Sequence, residues 1–529
     1  MPDKITMIEL FSGIGAQERA IRQLGIEYEV IHTCDCDDKA VLSYAAMRYD
    51  LEKEMESFEF PSQDEMIEYL QSKNIGYDFQ NDKHTIVSRT PLKKLKQYYI
   101  ADKLSKNLGD ISKVERLPYA DLVTYSYPCT DISCSGKTEG MVNKCDKCGH
   151  TWPINFEKPE SNNLCFECGN VDIRSTRSGL LGQVQRLLAT AYQEQTLPKY
   201  LILENVKNLV GKKFKAQFEA WIKWLDLIGY NTHWKIENAK HKGVPQSRER
   251  VFAVSIRKDI DDQSFRFPED IPLTVRLKNV LEQNVDEKYY LPDENLDKIL
   301  NATFMKQIKS VGTPEVHQIM NVMPDTNRPN PNQGRVYDKE GIAPSLTTME
   351  GGHRQPFIID NINVIGNYMP SGHDASRVVD IEGIAPTVKE NHGTVTAIAE
   401  PFVVASRGRN PDNPSDRTAG APTEQRLEPN FSGCTNTLTS VQKDNYVAEL
   451  NQCRWRIRKL TTKECWRLMN FTDIDHDRAA RYVASSALYK QAGNSIVVAC
   501  LTGIMSSLFL KDGHKAEVWT KHALKFNDN

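Results

Sequence analysis

The chain has 529 residues, a formal net charge of −3, 40% hydrophobic residues and 26% charged residues. This is the composition of an ordinary soluble globular protein of two to four domains, and no run reaches the ~18–20 consecutive apolar residues of a membrane helix. Nothing in the overall charge announces nucleic acid, so any such face has to come from local clustering of Lys and Arg. The opening apolar stretch is interrupted by Asp3, Lys4 and Glu9 and does not read as a signal peptide. Twelve cysteines are scattered except for four, which fits reduced thiols in a cytoplasm.

In chain order, residues 5–15 read as a strand entering a tight turn at Gly13 and Gly15, followed by an amphipathic helix from Ala16 to Leu24. Glycines here admit a ligand close to the backbone at a helix N-terminus, although a plain structural turn fits as well. A second strand, Tyr28 to Thr33, ends in Cys34-Asp35-Cys36-Asp37-Asp38. An acidic residue about twenty positions after a glycine turn is where nucleotide-binding α/β folds hold a ribose, which singles out Asp35 with Cys36 beside it. The competing reading is an acidic turn capping a helix that begins near Lys39. Residues 50–107 are highly charged, with helices expected over Asp64–Lys73 and Leu92–Leu104, and read as an insertion outside the sheet with no assignable chemistry.

Gly109-Asp110-Ile111 is a turn, and Asp121 to Tyr125 is a short strand that breaks at Pro128 and delivers Cys129. A cysteine just past a strand end is well placed as a nucleophile, but a small buried thiol beside a turn is the blander alternative. Gly13, Asp35, Asp110 and Cys129 all fall at predicted strand ends, where ligands of parallel sheets sit. Cys145-x-x-Cys148 and Cys165-x-x-Cys168 are two knuckles whose inner cysteines lie 17 positions apart. Four thiolates at this spacing suit a closed tetrahedral zinc site with a structural role, with His150 a bystander. The insert starts 16 positions after Cys129, so it is expected near the mouth of the cleft and beside any bound DNA.

A helix follows over Leu180–Ala191, then a buried-type strand Tyr200–Leu203 ending in Glu204-Asn205-Val206, a helix Phe214–Leu227 and strands near Asn231–Glu237 and Val251–Ile256. A carboxylate at the end of an apolar strand is either ion-paired or a buried acid with chemistry to do. Arg248 and Arg250, two apart at the start of the last strand, should share a face, either as a surface pair or as donors aimed into the cleft.

The ordered set resembles the DNA (cytosine-5-)-methyltransferases. ELFSGIG, with Phe11, Gly13, Ile14 and Gly15, looks like their S-adenosylmethionine loop. Asp35 with Cys36 stands at their ribose position, Asp110 and Ile111 at their adenine turn, and Pro128-Cys129 at their nucleophile motif. Glu204-Asn205-Val206, Gln246-x-Arg248-x-Arg250, Arg458 to Phe471 and Gly493-Asn494-Ser495 match the remaining motifs. The resemblance covers about residues 5–258 and 455–510. It implies a doubly wound, mostly parallel α/β sheet (Rossmann-like) with a smaller irregular, β-rich target-recognition domain. The implied roles are Cys129 as nucleophile on C6, Glu204 on N3 and the exocyclic amine, Arg250 on O2 and Arg248 ordering the site. Pro128, Asn494 and Ser495 join the cofactor residues. S-adenosylmethionine is the implied methyl donor and duplex DNA, with its cytosine flipped, the implied substrate. One departure is Thr130-Asp131, where the family commonly has Gln after the cysteine; it touches how the loop holds the gap in the DNA, not the reaction type.

The boundaries expected are a catalytic domain over 1–270 with inserts at 50–107 and 141–174, a target-recognition domain over 271–452, and a segment 453–529 completing the first domain. From about 275 to 450 the α/β pattern gives way to short segments rich in Gly, Pro and Asn. Residues 335–346 recur at 377–388, an offset of 42 positions, with a weaker third copy at 434–440. His353, Arg354, Arg377, His392, Arg407, Arg409 and Lys443 are candidates for phosphate or base contacts, each also readable as an ordinary solvated side chain. The expected protein is a cytoplasmic monomer on DNA in a bacterial or phage-infected cell, protecting DNA from restriction. An RNA cytosine-5 methyltransferase and a non-catalytic DNA-binding relative are the rival readings.

Overall fold

The computed structural model describes residues 4–79, 81–129, 131–132, 140–162, 164–171, 173–275, 277–280, 282, 285–286 and 461–510, and between 318 and 459 the backbone of the strands alone. Backbone proximity divides the chain into two compact units. One holds Met1–Gly243, Glu249–Pro272 and Met469–Asn529, and the other holds Val244–Arg248 and Leu273–Leu468.

The first unit is built on β1 (Ile5–Leu10), α1 (Ala16–Gln23), β2 (Tyr28–Cys34) and α2 (Asp38–Arg48). The charged segment follows as α3 (Leu51–Ser57), α4 (Gln63–Ser72), the hairpin β3 (Tyr77–Asp78) and β4 (Lys83–His84), and α5 (Leu92–Leu104). Then come β5 (Leu122–Tyr125), the ribbon strands β6 (Val142–Cys145), β7 (Thr151–Pro153) and β8 (Ile173–Ser175), α6 (Leu181–Gln193), β9 (Tyr200–Val206), α7 (Lys215–Leu227), β10 (Tyr230–Asn238) and β11 (Glu249–Arg257). Six strands form one sheet in the order β10-β11-β9-β5-β1-β2. β2, β1, β5 and β9 are mutually parallel, while β11 runs antiparallel to both β9 and β10. The architecture is therefore the expected α/β class with a mixed, mostly parallel sheet.

Apolar runs in β1, β5 and β9 make these strands suited to burial on both faces. Ile8, Val123, Leu201, Leu203 and Ala253 join Val184, Leu187 and Leu188 of α6 and Phe218, Trp221 and Leu225 of α7 in one core. Their neighbours Met7, Leu122, Ile202 and Val254 are equally buried and, by strand alternation, face the other side. Helix ends follow local chemistry. Asp37 caps α2 by accepting from the backbone N–H of Lys39 at 3.0 Å and Ala40 at 3.1 Å, and Ser62 and Glu65 form a reciprocal capping box on α4.

The second unit ends with α8 (Thr462–Leu468), and the chain returns to the first unit as α9 (Asp473–Ala480), α10 (Ser485–Asn494) and α11 (Val498–Phe509). α11 packs along α1, and its Phe509 ring meets Tyr200 edge-on at 5.3 Å. Among the described residues no single helix is long and apolar enough to cross a membrane.

In the second unit the sequence repeat is also a repeat of structure. Gln318–Asn321 pairs antiparallel with Arg335–Asp338, which pairs parallel with Phe357–Ile359. Asn363–Asn367, Arg377–Asp380 and Ala397–Ile398 repeat that arrangement, again with a register irregularity in the first pair. A four-stranded sheet follows, built from Phe402–Arg409, Glu424–Asn430, Tyr446–Asn451 and Arg454–Lys459. The third sequence copy, with His353, Arg354, His392 and Lys443, lies outside the described residues. Arg377, Arg407 and Arg409 lie on strands.

Candidate active site

The strand register sets the site. Cys34, Leu10, Tyr125 and Leu203 stand in one row across β2, β1, β5 and β9. The segments carrying Asp35, the Phe11–Gly15 loop and Cys129 therefore leave the sheet from the same edge, the C-terminal ends of its parallel strands, and Glu204 lies just past that row on β9, still paired with Phe252 of β11.

The glycine loop is held from below by buried charges. Glu9 accepts from the Glu18 N–H at 2.9 Å and from the Tyr44 hydroxyl at 2.5 Å. Burial lifts its carboxyl to about 7, against the opposing pull of Arg48 and Tyr44. Arg48 donates to Glu18 at 2.6 Å and to the Gly15 carbonyl at 3.1 Å, with its guanidinium 3.5 Å from the Tyr44 ring centroid. Phe11 and Gly13 adopt φ of 57° and 52°, and Gly15 adopts 80°. A non-glycine residue in that region is strained, as at ligand-holding turns elsewhere. Ile14 is buried.

Asp35 faces this loop. One carboxylate oxygen accepts from the Gly13 N–H at 2.8 Å and the other from the Asp37 N–H at 2.9 Å. Burial, and then the charge of Asp37, raises the Asp35 carboxyl to about 6. The two readings of this acidic turn are thus divided between neighbours, with Asp35 serving the loop and Asp37 capping α2. Burial pushes the Cys36 thiol well up, and the charges of Asp35 and Asp110 add to it, so the three groups share one corner. Asp110 accepts from the Ser112 N–H at 2.9 Å, and Ile111 beside it is buried. On α10, Lys490 donates to Asp37 at 2.6 Å, and Gln491 donates to Ser43 and the Lys39 carbonyl at 3.0 Å each. These contacts bring the exposed Asn494 and half-buried Ser495 toward the same corner.

Sequence reading missed the residues behind these acids. The Asn107 amide donates to the Asp35 carbonyl and accepts its N–H, both at 2.9 Å, and Asn74 donates to the Asp110 carboxylate at 2.7 Å. The segment 50–107 therefore buttresses the corner, although it reads as an insert without chemistry. Neither asparagine lies in a patterned motif, and only the tertiary contacts reveal them.

At the other half of the edge, Glu204 is 8% exposed, and its carboxylate lies 3.3 Å from Arg250 Nε. Tyr127 is buried, and its phenol is pushed far up by burial, with added contributions from Tyr125, Cys129 and Glu204. The charges of Cys129 and Glu204 both act on the Tyr127 hydroxyl. Asn205 donates to the Tyr127 carbonyl at 3.1 Å. Arg248 corrects the expectation of a same-face pair. β11 begins at Glu249, so only Arg250 is on the strand; Arg248 precedes it, is 4% exposed and belongs to the second unit. Between β10 and β11 a 3-10 turn over Ala239–Lys242, closed by Gly243 at φ 79°, leads into the irregular segment that carries Arg248.

The four cysteines converge. Their sulfurs lie within 4.8 Å of one another, with Cys145 and Cys168 at 3.5 Å and Cys148 and Cys165 at 3.6 Å. A tetrahedral zinc with bonds of about 2.3 Å sets its sulfurs about 3.8 Å apart, so the donor set fits that ion. Burial acts against the Cys145 thiolate, but backbone N–H groups of Cys148 and Lys147 turn toward it and lower its pKa to about 6. His150 is outside the cluster and packs on Trp152 and Phe166, with ring centroids at 5.7 and 4.6 Å. A cleft of about 780 Å³ between α7 and β10 is lined by Phe218, Ile222 and Trp234. It lies at the opposite end of the sheet, beside the residues paired with Arg257 to Ala253, and has no part in this site.

A family profile described as C-5 cytosine-specific DNA methylase matches residues 64–148 and 168–510, its gap falling inside the ribbon. Orphan methyltransferase M.SPBetaI of Bacillus phage SPbeta is 29% identical over 540 residues, spanning 96% of this chain and 97% of its own. Type II methyltransferase M2.ScrFI of Lactococcus lactis subsp. cremoris is 34% identical over 294 residues, 55% of this chain and 71% of its own. Orphan methyltransferase M.SssI of Spiroplasma monobiae is 30% identical over 375 residues, 68% and 83% of the two chains. The S. pombe Dnmt2 methyltransferase structure aligns over 96% of this chain at 14% identity and a TM-score of 0.42. With a profile matched over most of its length and near full-length relatives that are methyltransferases, this chain belongs to the C-5 cytosine-specific DNA methylase family.

Proposed function

We propose that this chain transfers a methyl group from S-adenosylmethionine to C5 of a cytosine flipped out of duplex DNA, with Cys129 as the covalent nucleophile. The observation that carries this reading is that Cys129 follows β5 and Glu204 lies on the neighbouring parallel strand β9, both toward the C-terminal edge of the sheet, with Arg250 on the Glu204 carboxylate. C5 of cytosine is a weak nucleophile. A thiolate that bonds to C6 breaks the C5=C6 double bond and leaves electron density at C5, which then takes the methyl group. Glu204 holds N3 and the exocyclic amine and relieves the charge that develops there, and Arg250 holds O2. Loss of the C5 proton then expels the thiolate and restores the ring. The methyl donor lies over the Phe11–Gly15 loop, with its ribose on Asp35 and its adenine beside Asp110 and Ile111. Pro128, Asn494 and Ser495 line the same pocket, and Arg248 orders the site. The protein acts as a cytoplasmic monomer and shields DNA from restriction.

Transfer of labelled methyl groups to duplex DNA and to tRNA, followed by bisulfite sequencing, tests this reading directly. The expected result is label in DNA at C5 of cytosine in a defined sequence. Label in RNA alone would refute it.

A second expectation concerns pH. The folded protein holds the Asp35 proton more tightly than an unfolded chain does, since its carboxyl is raised from an ordinary 3.8 to about 6. Its contribution to stability therefore declines as pH rises from about 4 to 6 and is flat above that. Ribose hydroxyls donate better to a carboxylate than to a carboxylic acid, so S-adenosylmethionine affinity should rise with pH through about 6 and level off near 7. Calorimetric titration between pH 5 and 8 measures this, and a flat or falling affinity contradicts the ribose assignment.

The four cysteines hold a structural zinc, which closes the ribbon and leaves no open coordination position. Metal analysis should find one zinc per chain. Stripping it should abolish amide-exchange protection across residues 141–176 while β1, β5 and β9 stay protected. A metal-free preparation with an intact, protected ribbon would contradict the site.

A further inference from the structure

The departure from the family at Thr130-Asp131 has a structural counterpart. Asp131 and Ser178 grip each other reciprocally. The Ser178 N–H donates to the Asp131 carboxylate at 2.9 Å, and the Asp131 N–H donates to Ser178 Oγ at 3.2 Å. That hydroxyl in turn donates to the Pro128 carbonyl at 2.9 Å, one residue before the nucleophile. Ser178 is fully buried.

The other described residues of the loop are tied as closely. Asn205 holds the Tyr127 carbonyl at 3.1 Å and Asn208 the Ile132 carbonyl at 2.6 Å. The Ile132 N–H donates to the Cys129 carbonyl at 3.0 Å, and the Gly140 N–H to the Asp131 carbonyl at 2.8 Å. Two independent supports therefore flank Cys129. One comes from the end of β9 and the turn after it. The other is Ser178, 49 positions further along the chain. The ribbon returns it to that place. Thr176 donates through its hydroxyl to the Gly140 carbonyl at 2.8 Å and through its N–H to the Val142 carbonyl at 2.9 Å, which closes the ribbon's base on itself.

We propose that Asp131 and Ser178 are positioning residues for Cys129, a clasp that holds the nucleophile's backbone in its attacking geometry and that the four-cysteine ribbon delivers. The inference rests on Cys129 being the nucleophile. The clasp fixes the Pro128 carbonyl just before the thiol-bearing residue and the Asp131 backbone two residues after it, so its loss lets the sulfur wander. A misplacement of about 1 Å costs on the order of 10²-fold in such steps. Its contact with the residues assigned to the cofactor is the bond to the Pro128 carbonyl, made through backbone alone, so cofactor affinity should change far less than capture.

The test uses duplex DNA carrying 5-fluorocytosine at the methylated position. After methyl transfer a C5 fluorine cannot leave as a proton does, so the S–C6 bond persists and its formation is read as covalent capture. Full-length Asp131→Ala and Ser178→Ala should each slow capture at saturating DNA and cofactor by about 10²-fold, with KM for S-adenosylmethionine changed far less than that. Asp131→Asn keeps an oxygen to accept the Ser178 N–H and should restore capture to near the unaltered rate. Unchanged capture in both alanine variants overturns the proposal. So does slowing that Asp131→Asn fails to rescue and that comes with weakened cofactor binding, because this would mark a merely structural role. Failure of the unaltered chain to be captured at all refutes Cys129 as nucleophile, a different outcome from an indifferent clasp.

Discussion

Cys129→Ser is expected to lower methyl transfer by on the order of 10⁴-fold or more while DNA and cofactor binding persist. A serine hydroxyl is not ionised at neutral pH and cannot supply the anion that attacks C6. The oxygen replaces sulfur with little change in volume, in a loop whose neighbouring carbonyls are already held by Asn205, Ser178, Ile132 and Gly140. The fold around it has no reason to move, so calorimetric cofactor binding and the unfolding midpoint should match the unaltered chain. Residual transfer within tenfold of the original rate, measured by tritium incorporation, would mean that the chemistry does not pass through this thiol. Glu204 and Arg250 would then need another explanation, because the pairing of β9 with β5, which puts Glu204 on the strand next to the one that leads to Cys129, is what links them to the proposed reaction.

Gly15→Ala should be the most damaging small change in the cofactor half. Gly15 sits at φ +80°, and a Cβ there would lie 2.2 Å from Arg48 Nη2 and 2.5 Å from the Tyr44 ring. Arg48 cannot step aside cheaply, because it is paired with the buried Glu18 and packed over Tyr44, whose hydroxyl binds Glu9. Left-handed strain and a disturbed buried ion pair together should cost about 3 kcal/mol or more. S-adenosylmethionine affinity should fall alongside stability, since the same turn carries both. Chemical denaturation and titration calorimetry read the two effects. Gly13 makes the contrast, because its Cβ would meet nothing within 4 Å. Its φ of +52° leaves strain alone, so Gly13→Ala should be the milder change in stability. An equal loss at both positions would show that the Arg48 contact is not what Gly15 protects.

Much of the fold was legible because its elements carry strong periodic signals. β1, β5 and β9 are apolar runs ending in polar chemistry, and α4, α5 and α7 were expected within about two residues of where they lie. The four cysteines were legible because zinc chemistry restricts spacing as well as residue type. Arg248 and Arg250 were misjudged because a two-residue period holds only inside a strand, and β11 begins between them. Asn74, Asn107, Asp131 and Ser178 carried no signal at all. Each is a common polar residue in an unpatterned segment, and each matters through a distant partner, 36 positions away for Asn74, 72 for Asn107 and 47 between Asp131 and Ser178.

By itself the sequence determined the α/β class, the order of the motifs and the residue types that cytosine chemistry requires, because hydrophobic period and reactive side chains are local properties of the chain. Tertiary structure alone decided which groups share an edge of the sheet, which acid serves the loop and which caps a helix, and which residues tie the backbone around Cys129. Strand register and long-range hydrogen bonds make those choices, and they exist only once distant segments have packed.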